Sequence, residues 1–230
     1  MALGPKRVVP RPAPSARATA TAERRSRGGA WALLLPILLV LVAVPVEAFG
    51  LTSSFGPVAD NPADKLVRLP IDAYAYDRAS RCESRPDPGM LALQSWFERN
   101  ARGSSWGIMR CSRLGSGYSL HAEGRALDWR LNVHRLSERR EATRLIKLLL
   151  ATDRVGNRHA LARRMGIQEI IWNCEAWWSG SSGTVRYSAC YDSSGRAKRV
   201  NDTTAHRDHM HIGMHRRGAA KRTTYWTRGR

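Results

Sequence analysis

The chain has 230 residues, 43% of them hydrophobic, and 38 Lys+Arg against 19 Asp+Glu give a formal charge of +19. That apolar share excludes a wholly disordered chain, and four cysteines are too few for a disulfide-dense mini-scaffold. The length suits one domain of ordinary size with its own core, once a processed N-terminus is set aside.

Residues 1–29 carry no hydrophobic periodicity and are rich in Arg, Ala and Pro, with Arg24, Arg25 and Arg27 clustered; they read as a basic, disordered n-region. AWALLLPILLVLVAVPV, 30–46, then runs 17 residues without a charge, at the short limit for a membrane span and long for a signal h-region. Val46-Glu47-Ala48 supplies a small-residue cleavage pattern, so 30–48 is a secretory signal peptide or, uncleaved, an N-terminal membrane anchor. The basic residues before the run keep the N-terminus cytoplasmic in both cases. The remainder is then extracellular, in the cell wall or on the outer face of the cytoplasmic membrane, and it touches membrane only through an uncleaved anchor. Residues 1–48 hold 7 basic and 2 acidic side chains, which leaves 31 against 17 beyond them. Such an excess attracts polyanions, and outside a cell the nearest are peptidoglycan carboxylates and other anionic wall polymers. A genome that favours Arg over Lys would raise the same count without any binding.

Residues 49–80, with Pro57, Pro62 and Pro70, read as an extended linker before a domain at 81–230. PDPGMLALQSWFERNAR predicts a helix starting near Pro88. A second helix is predicted from Ser137 as N-cap through LSERREATRLIKLLLA, with Leu145, Leu148 and Leu149 facing the core. HALARRMG predicts a third, stopped by Gly166. IQEIIWN, 167–173, reads as an apolar strand, and SGSSG at 179–183 as a turn-rich loop flanking a cleft. Trp172, Trp177 and Trp178 are core aromatics or a wall for glycan or peptide. His134, His159 and His215 are read as structural. Interspersed helices and strands predict an α+β domain with a mainly antiparallel central sheet flanked by helices.

Two blocks carry chemistry. SLHAEGRALD, 119–128, places His121 seven residues before Asp128, and HRDHMHIGM, 206–214, packs three histidines and an aspartate into six positions. Catalytic zinc takes three nitrogen or oxygen ligands and keeps a fourth position open; His121, Asp128 and His211 meet that need, so the expected cofactor is Zn2+ on the central sheet. GRALDWRLNV reads as a strand bearing Asp128, with His121 on the preceding bend. HMHIGM reads as another, whose alternation puts His209 and His211 on one face and Met210 and Ile212 on the other. The cysteines of the exported part, Cys82, Cys111, Cys174 and Cys190, predict two disulfides. Cys82–Cys111 and Cys174–Cys190 are the favoured pairs, since each closes a short loop beside one half of the site.

The block S-x-H-x-x-G-x-A-x-D, here Ser119, His121, Gly124, Ala126 and Asp128, resembles the signature of zinc D-alanyl-D-alanine carboxypeptidases and L-alanyl-D-glutamate peptidases. The run His206, His209, His211 is similar to that of the murein endopeptidases, which share the zinc site and the hedgehog-domain fold. The resemblance covers about 150 residues, from Cys82 to the C-terminus. It implies that His121, Asp128 and His211 bind zinc, that a group just before His211 is the base, and that an upstream arginine, Arg110 rather than Arg113, binds a substrate carboxylate or the oxyanion. Many carboxypeptidase members have a glutamate where this chain has the shorter Asp208. The base is therefore His209 or Asp208, with His206 behind them, and where the strand begins decides between the first two.

The expected protein is a secreted or membrane-anchored monomeric zinc metallopeptidase that hydrolyses peptidoglycan stem peptides, or else an inactive zinc-stabilised wall-binding module of the same fold. Ser119 would support the ligands and not act as a nucleophile. Nucleic acid is not among the expected partners: Asp208-His209 resembles the start of a ββα-metal nuclease motif, but no Asn follows Asn201 to complete it.

Overall fold

A computed structural model describes residues 55–228 apart from Ser116, all within one compact unit, Glu47–Arg230. The n-region and the signal or anchor segment expected at 30–48 lie outside the described residues. No helix among the described residues is long and apolar enough to cross a membrane.

The chain is mixed α and β around one antiparallel sheet. Its strands in chain order are β1 (Ser104–Gly107), β4 (Ala126–Arg130), β5 (Ile167–Trp172), β6 (Glu175–Trp178), β7 (Val185–Arg186) and β8 (His209–Met214); β2 (Arg113–Leu114) and β3 (Gly117–Tyr118) form a separate hairpin. The sheet order is β1-β4-β8-β5-β6-β7, so the last strand in sequence lies at the centre. Every residue of β8 is buried. Alternation sends Met210, Ile212 and Met214 to one face and His209, His211 and Gly213 to the other.

The first face meets the helices α1 (Pro88–Asn100), α2 (Leu136–Leu150) and α3 (Ala160–Met165). α1 starts where expected, with Pro88 in its first turn, where no N–H is missed. Met90, Leu93, Trp96 and Phe97 recur at helical spacing and join Leu127, Trp129, Met210 and Ile212 in the main core. α2 adds Ala142, Leu145, Leu149 and Leu150, all fully buried, whereas Leu148 is only half-buried. Truncating one such leucine to Ala would cost about 2–5 kcal/mol. Ser137 is not the cap of α2: the helix already begins at Leu136, the N-cap position is Arg135, and no side chain caps it. Instead Glu138 reaches back to the Asn132 N–H at 2.7 Å. α3 ends at Gly166, whose φ of 81° and lack of room for a Cβ against Gly218 both require glycine. Beyond β8 come two short helices, α4 (Arg216–Ala219) and α5 (Thr224–Arg228).

The segment read as a linker is extended over most of its described length, but it is a strap laid on the domain. After a 3-10 turn at Pro62–Leu66 it is tied down by Tyr74 to His159, by Asp77 to Gln168, and by Ser80 to Glu123. Arg125, only 1% exposed, binds Glu123, the Met214 carbonyl and the Asp77 carbonyl, and so joins strap, β4 and the end of β8. Both expected disulfides are present, Cys82–Cys111 and Cys174–Cys190, and no described cysteine is free. Trp172 and Trp177 belong to the core, while half-buried Trp178 lines a cleft on the histidine face. The 179–183 loop does not line that cleft; Ser179 accepts a hydrogen bond from the Ala75 N–H of the strap instead.

Candidate metal centre

The face of β8 away from the helices is where His121, Asp128 and His211 meet. β4 and β8 pair so that Asp128 lies directly opposite His211. His121 arrives from a 3-10 turn, Leu120–Glu123, capped by the Ser119 hydroxyl, which accepts from the His121 N–H at 3.4 Å. Gly124 ends that turn at φ 66°, and a Cβ there would press on Pro86 and Arg85, so the motif glycine is fixed by backbone shape and space.

The three ligand atoms form a triangle. His121 Nε2 is 3.0 Å from Asp128 Oδ1 and 3.2 Å from His211 Nδ1, which is 3.1 Å from the same carboxylate oxygen. Their outer hydrogen bonds fix the tautomers. His121 Nδ1 lies 2.7 Å from the Ile108 carbonyl, which can only accept, so Nδ1 carries the proton and Nε2 presents a lone pair. His211 Nε2 donates to Glu169 Oε1 at 2.9 Å, so its Nδ1 presents a lone pair as well. Two imidazole lone pairs and a buried carboxylate oxygen thus converge at close range, an arrangement that repels itself unless positive charge enters it. A cation satisfies all three atoms, and two imidazoles with one carboxylate suit zinc. A proton can stand in its place: burial opposes charging His211, yet Asp128 and Glu169 on either side push its pKa up to about 9. Burial likewise opposes charge on Asp128, but His121 and His211 beside it outweigh burial when they carry an added proton and hold the carboxyl far below the usual range.

The remaining expected residues ring this triangle. The strand begins at 209, the case expected to let Asp208 turn inward, yet it is His209 that points to the site, with Nε2 3.6 Å from Asp128 Oδ1. Asp208 lies outside, accepting from His209 Nδ1 at 2.7 Å and from the Thr203 hydroxyl at 2.6 Å. His209 therefore turns a lone pair inward. His206, at φ 52°, packs 4.7 Å from His209 and 5.1 Å edge-on to Tyr187, and its buried Nδ1 has no partner among the described residues. Burial first, then His211 and His209, push its pKa down to about 3, which keeps it neutral. Arg110 reaches Asp128 Oδ2 at 3.5 Å with most of its side chain exposed, whereas Arg113 lies away over Tyr118. His134, His159 and His215 have other duties, on Asp202, on Tyr74 and as the cap of α4.

The sequence reading missed Glu169. It sits on β5 opposite Gly213, on the histidine face, and its second oxygen accepts from the Tyr76 phenol at 3.1 Å. Burial and then Glu169 push that phenol's pKa up to about 12. The available signal was one acid in the otherwise apolar run IQEIIW. Also missed were Tyr76 on the strap and Trp106 on β1, whose half-exposed ring meets His209 edge-on at 5.2 Å. The cleft over the triangle holds about 470 Å³, with Arg78, Tyr118, Trp178 and Tyr187 on its walls.

Fold and site together define a mixed α and β domain whose antiparallel sheet presents a buried His–Asp–His cluster to an open cleft. The chain belongs to the family described as the VldE C-terminal domain, whose model matches residues 82–211. That span runs from the first disulfide cysteine to the last residue of the cluster. No curated protein and no solved structure matches the chain.

Proposed function

We propose that the protein is a zinc metallopeptidase acting on peptide bonds of peptidoglycan stem peptides, exported or anchored at the cell surface. One observation carries the reading: His121 Nε2, Asp128 Oδ1 and His211 Nδ1 face one another with both imidazoles held in the metal-binding tautomer. When bound there, zinc supplies Lewis acidity for a scissile carbonyl and lowers the pKa of a bound water toward about 7.

The chain's own residues account for the proton. His209 Nε2, beside the triangle, takes the proton of the attacking water as its oxygen bonds to the carbonyl carbon. Asp208 holds His209 in the required tautomer and stabilises the imidazolium, while Thr203 steadies Asp208. The same nitrogen then gives that proton to the leaving amine as the C–N bond breaks, which leaves a free amine and a carboxylic acid whose remaining proton passes to solvent or to the amine. Arg110, exposed at the cleft mouth, offers a fork to a substrate carboxylate or to the developing oxyanion. His206 stays neutral and forms a wall.

The test digests purified peptidoglycan and synthetic stem peptides and resolves the products by mass, with metal content measured in parallel. His209→Ala should keep zinc and lose about two to four orders of magnitude in rate; His121→Ala should lose both. A wild-type protein that holds zinc, sediments with the wall and releases no new amine would make this a binding module. A protein that takes up no zinc would end both readings.

A further inference from the structure

The helix side of the molecule carries a second concave site, a groove of about 650 Å³ where the end of α1 meets the start of α2. Arg99, Arg102, Arg140 and Arg144 line it, with Ser137 and a single acid, Glu141. Positions 137, 140 and 144 recur at helical spacing, so α2 turns one stripe to this groove while Ala142, Leu145 and Leu149 face the core. Glu141 is already saturated. One oxygen accepts from the Arg102 N–H and from Arg144, the other from Arg144 again, at 2.7–2.9 Å. That pair cancels, and the exposed guanidiniums of Arg99, Arg102 and Arg140 have no carboxylate or carbonyl partner among the described residues. The first turn of α2, at the same place, has no side-chain cap. Like charges gathered in a concavity with no counter-ion raise the potential there, and an uncapped helix start adds to it.

We propose that this groove is a binding site for a linear phosphate-bearing polyanion. Arg forks from two helices suit tetrahedral phosphate oxygens presented in succession along a chain. The groove lies across the sheet from the metal cleft, because Trp129, whose indole N–H donates to the Arg102 carbonyl, is on the face opposite Asp128. A polymer held there leaves the cleft open, so the site is a retention device independent of any turnover.

The full chain is titrated with linear inorganic polyphosphate over a series of salt concentrations, and with poly-glutamate of matched charge. Three engaged guanidiniums predict a log–log salt slope near −2, at about 0.7 per contact for a single-stranded phosphate polymer. Arg99→Gln with Arg140→Gln should weaken binding at least tenfold and flatten the slope by about 1.4, with an unchanged melting temperature, since neither side chain makes a contact that holds the fold. Arg68→Gln with Arg154→Gln removes the same charge from exposed positions elsewhere and should change affinity less than twofold. Equal losses in the two double variants would mean that net charge alone binds, and would overturn the site. Poly-glutamate binding as tightly as polyphosphate would overturn the phosphate assignment.

Discussion

Glu169 shows how much a single side chain can decide at this site. Buried at 6% exposure, it takes the Nε2–H of His211 and the phenol of Tyr76, and so sets both the tautomer and the ring angle of an imidazole of the candidate metal site. Glu169→Gln keeps the volume but can present its NH2 group to His211, which would favour the wrong tautomer. Zinc affinity should fall about 10–100-fold while the melting temperature changes little, as outer partners of a ligand usually cost that much. Competition against a chromophoric chelator measures it, and an unchanged affinity would remove Glu169 from the site. The residues of the cluster were legible because their chemistry sets them apart: only His, Asp, Glu and Cys coordinate zinc well, and seven such side chains crowd two short blocks. Glu169 was not, because its partner lies 42 positions away and only the β5–β8 pairing brings them together.

At the scale of elements, local patterns were legible wherever the chain supplies its own stop or period. Pro88 begins α1, Gly166 ends α3, and strict alternation marks β8. The start of α2 was misread because Ser137 looks like a cap in isolation, whereas Glu138 satisfies a neighbouring N–H from inside the helix. Short edge strands such as β1 and β7 carry too few residues for a period to show. The Cys174–Cys190 pair matters for a reason invisible in sequence. The β5–β6 turn at Asn173 and Cys174 donates both N–H groups to the carbonyls of His206 and Ala205, and Tyr187 donates its own N–H to the Cys174 carbonyl. This small disulfide-linked cluster therefore carries the His206 wall. Replacing both cysteines by Ser opens a loop of 16 residues and should cost roughly 3 kcal/mol from chain entropy. Denaturant melts of the two proteins check the figure, and turnover should fall with stability held above threshold. A loss of stability with the proposed peptidase turnover intact would show that the cluster does not position His206.

Across the whole molecule, the strap is what turns a sheet with helices into a closed body, and His159 is its buckle. The ring is 1% exposed and nests edge-on among Phe55, Tyr74 and Trp177, with Nδ1 hydrogen-bonded to the Tyr74 hydroxyl at 3.0 Å. Its Nε2 has no partner among the described residues, so a second proton would be buried there without an acceptor. Burial, then Arg158 and Arg163, push its pKa down to about 4. The sign follows directly. Above about pH 6.5 the ring is neutral both folded and unfolded, and titration adds nothing. Between 6.5 and 4 the unfolded chain takes up a proton that the folded protein refuses, so stability falls as pH falls, by on the order of 3 kcal/mol in all. His206 and His215 are shifted the same way, which makes a difference measurement necessary. His159→Asn suits the left-handed backbone at φ 52° and keeps a hydrogen-bonding partner for Tyr74. The variant should be less stable at pH 7 for lost packing, yet show a shallower decline between pH 6.5 and 4 than the wild type in parallel denaturant melts. Identical slopes would mean that the strap stays closed for reasons other than this neutral ring.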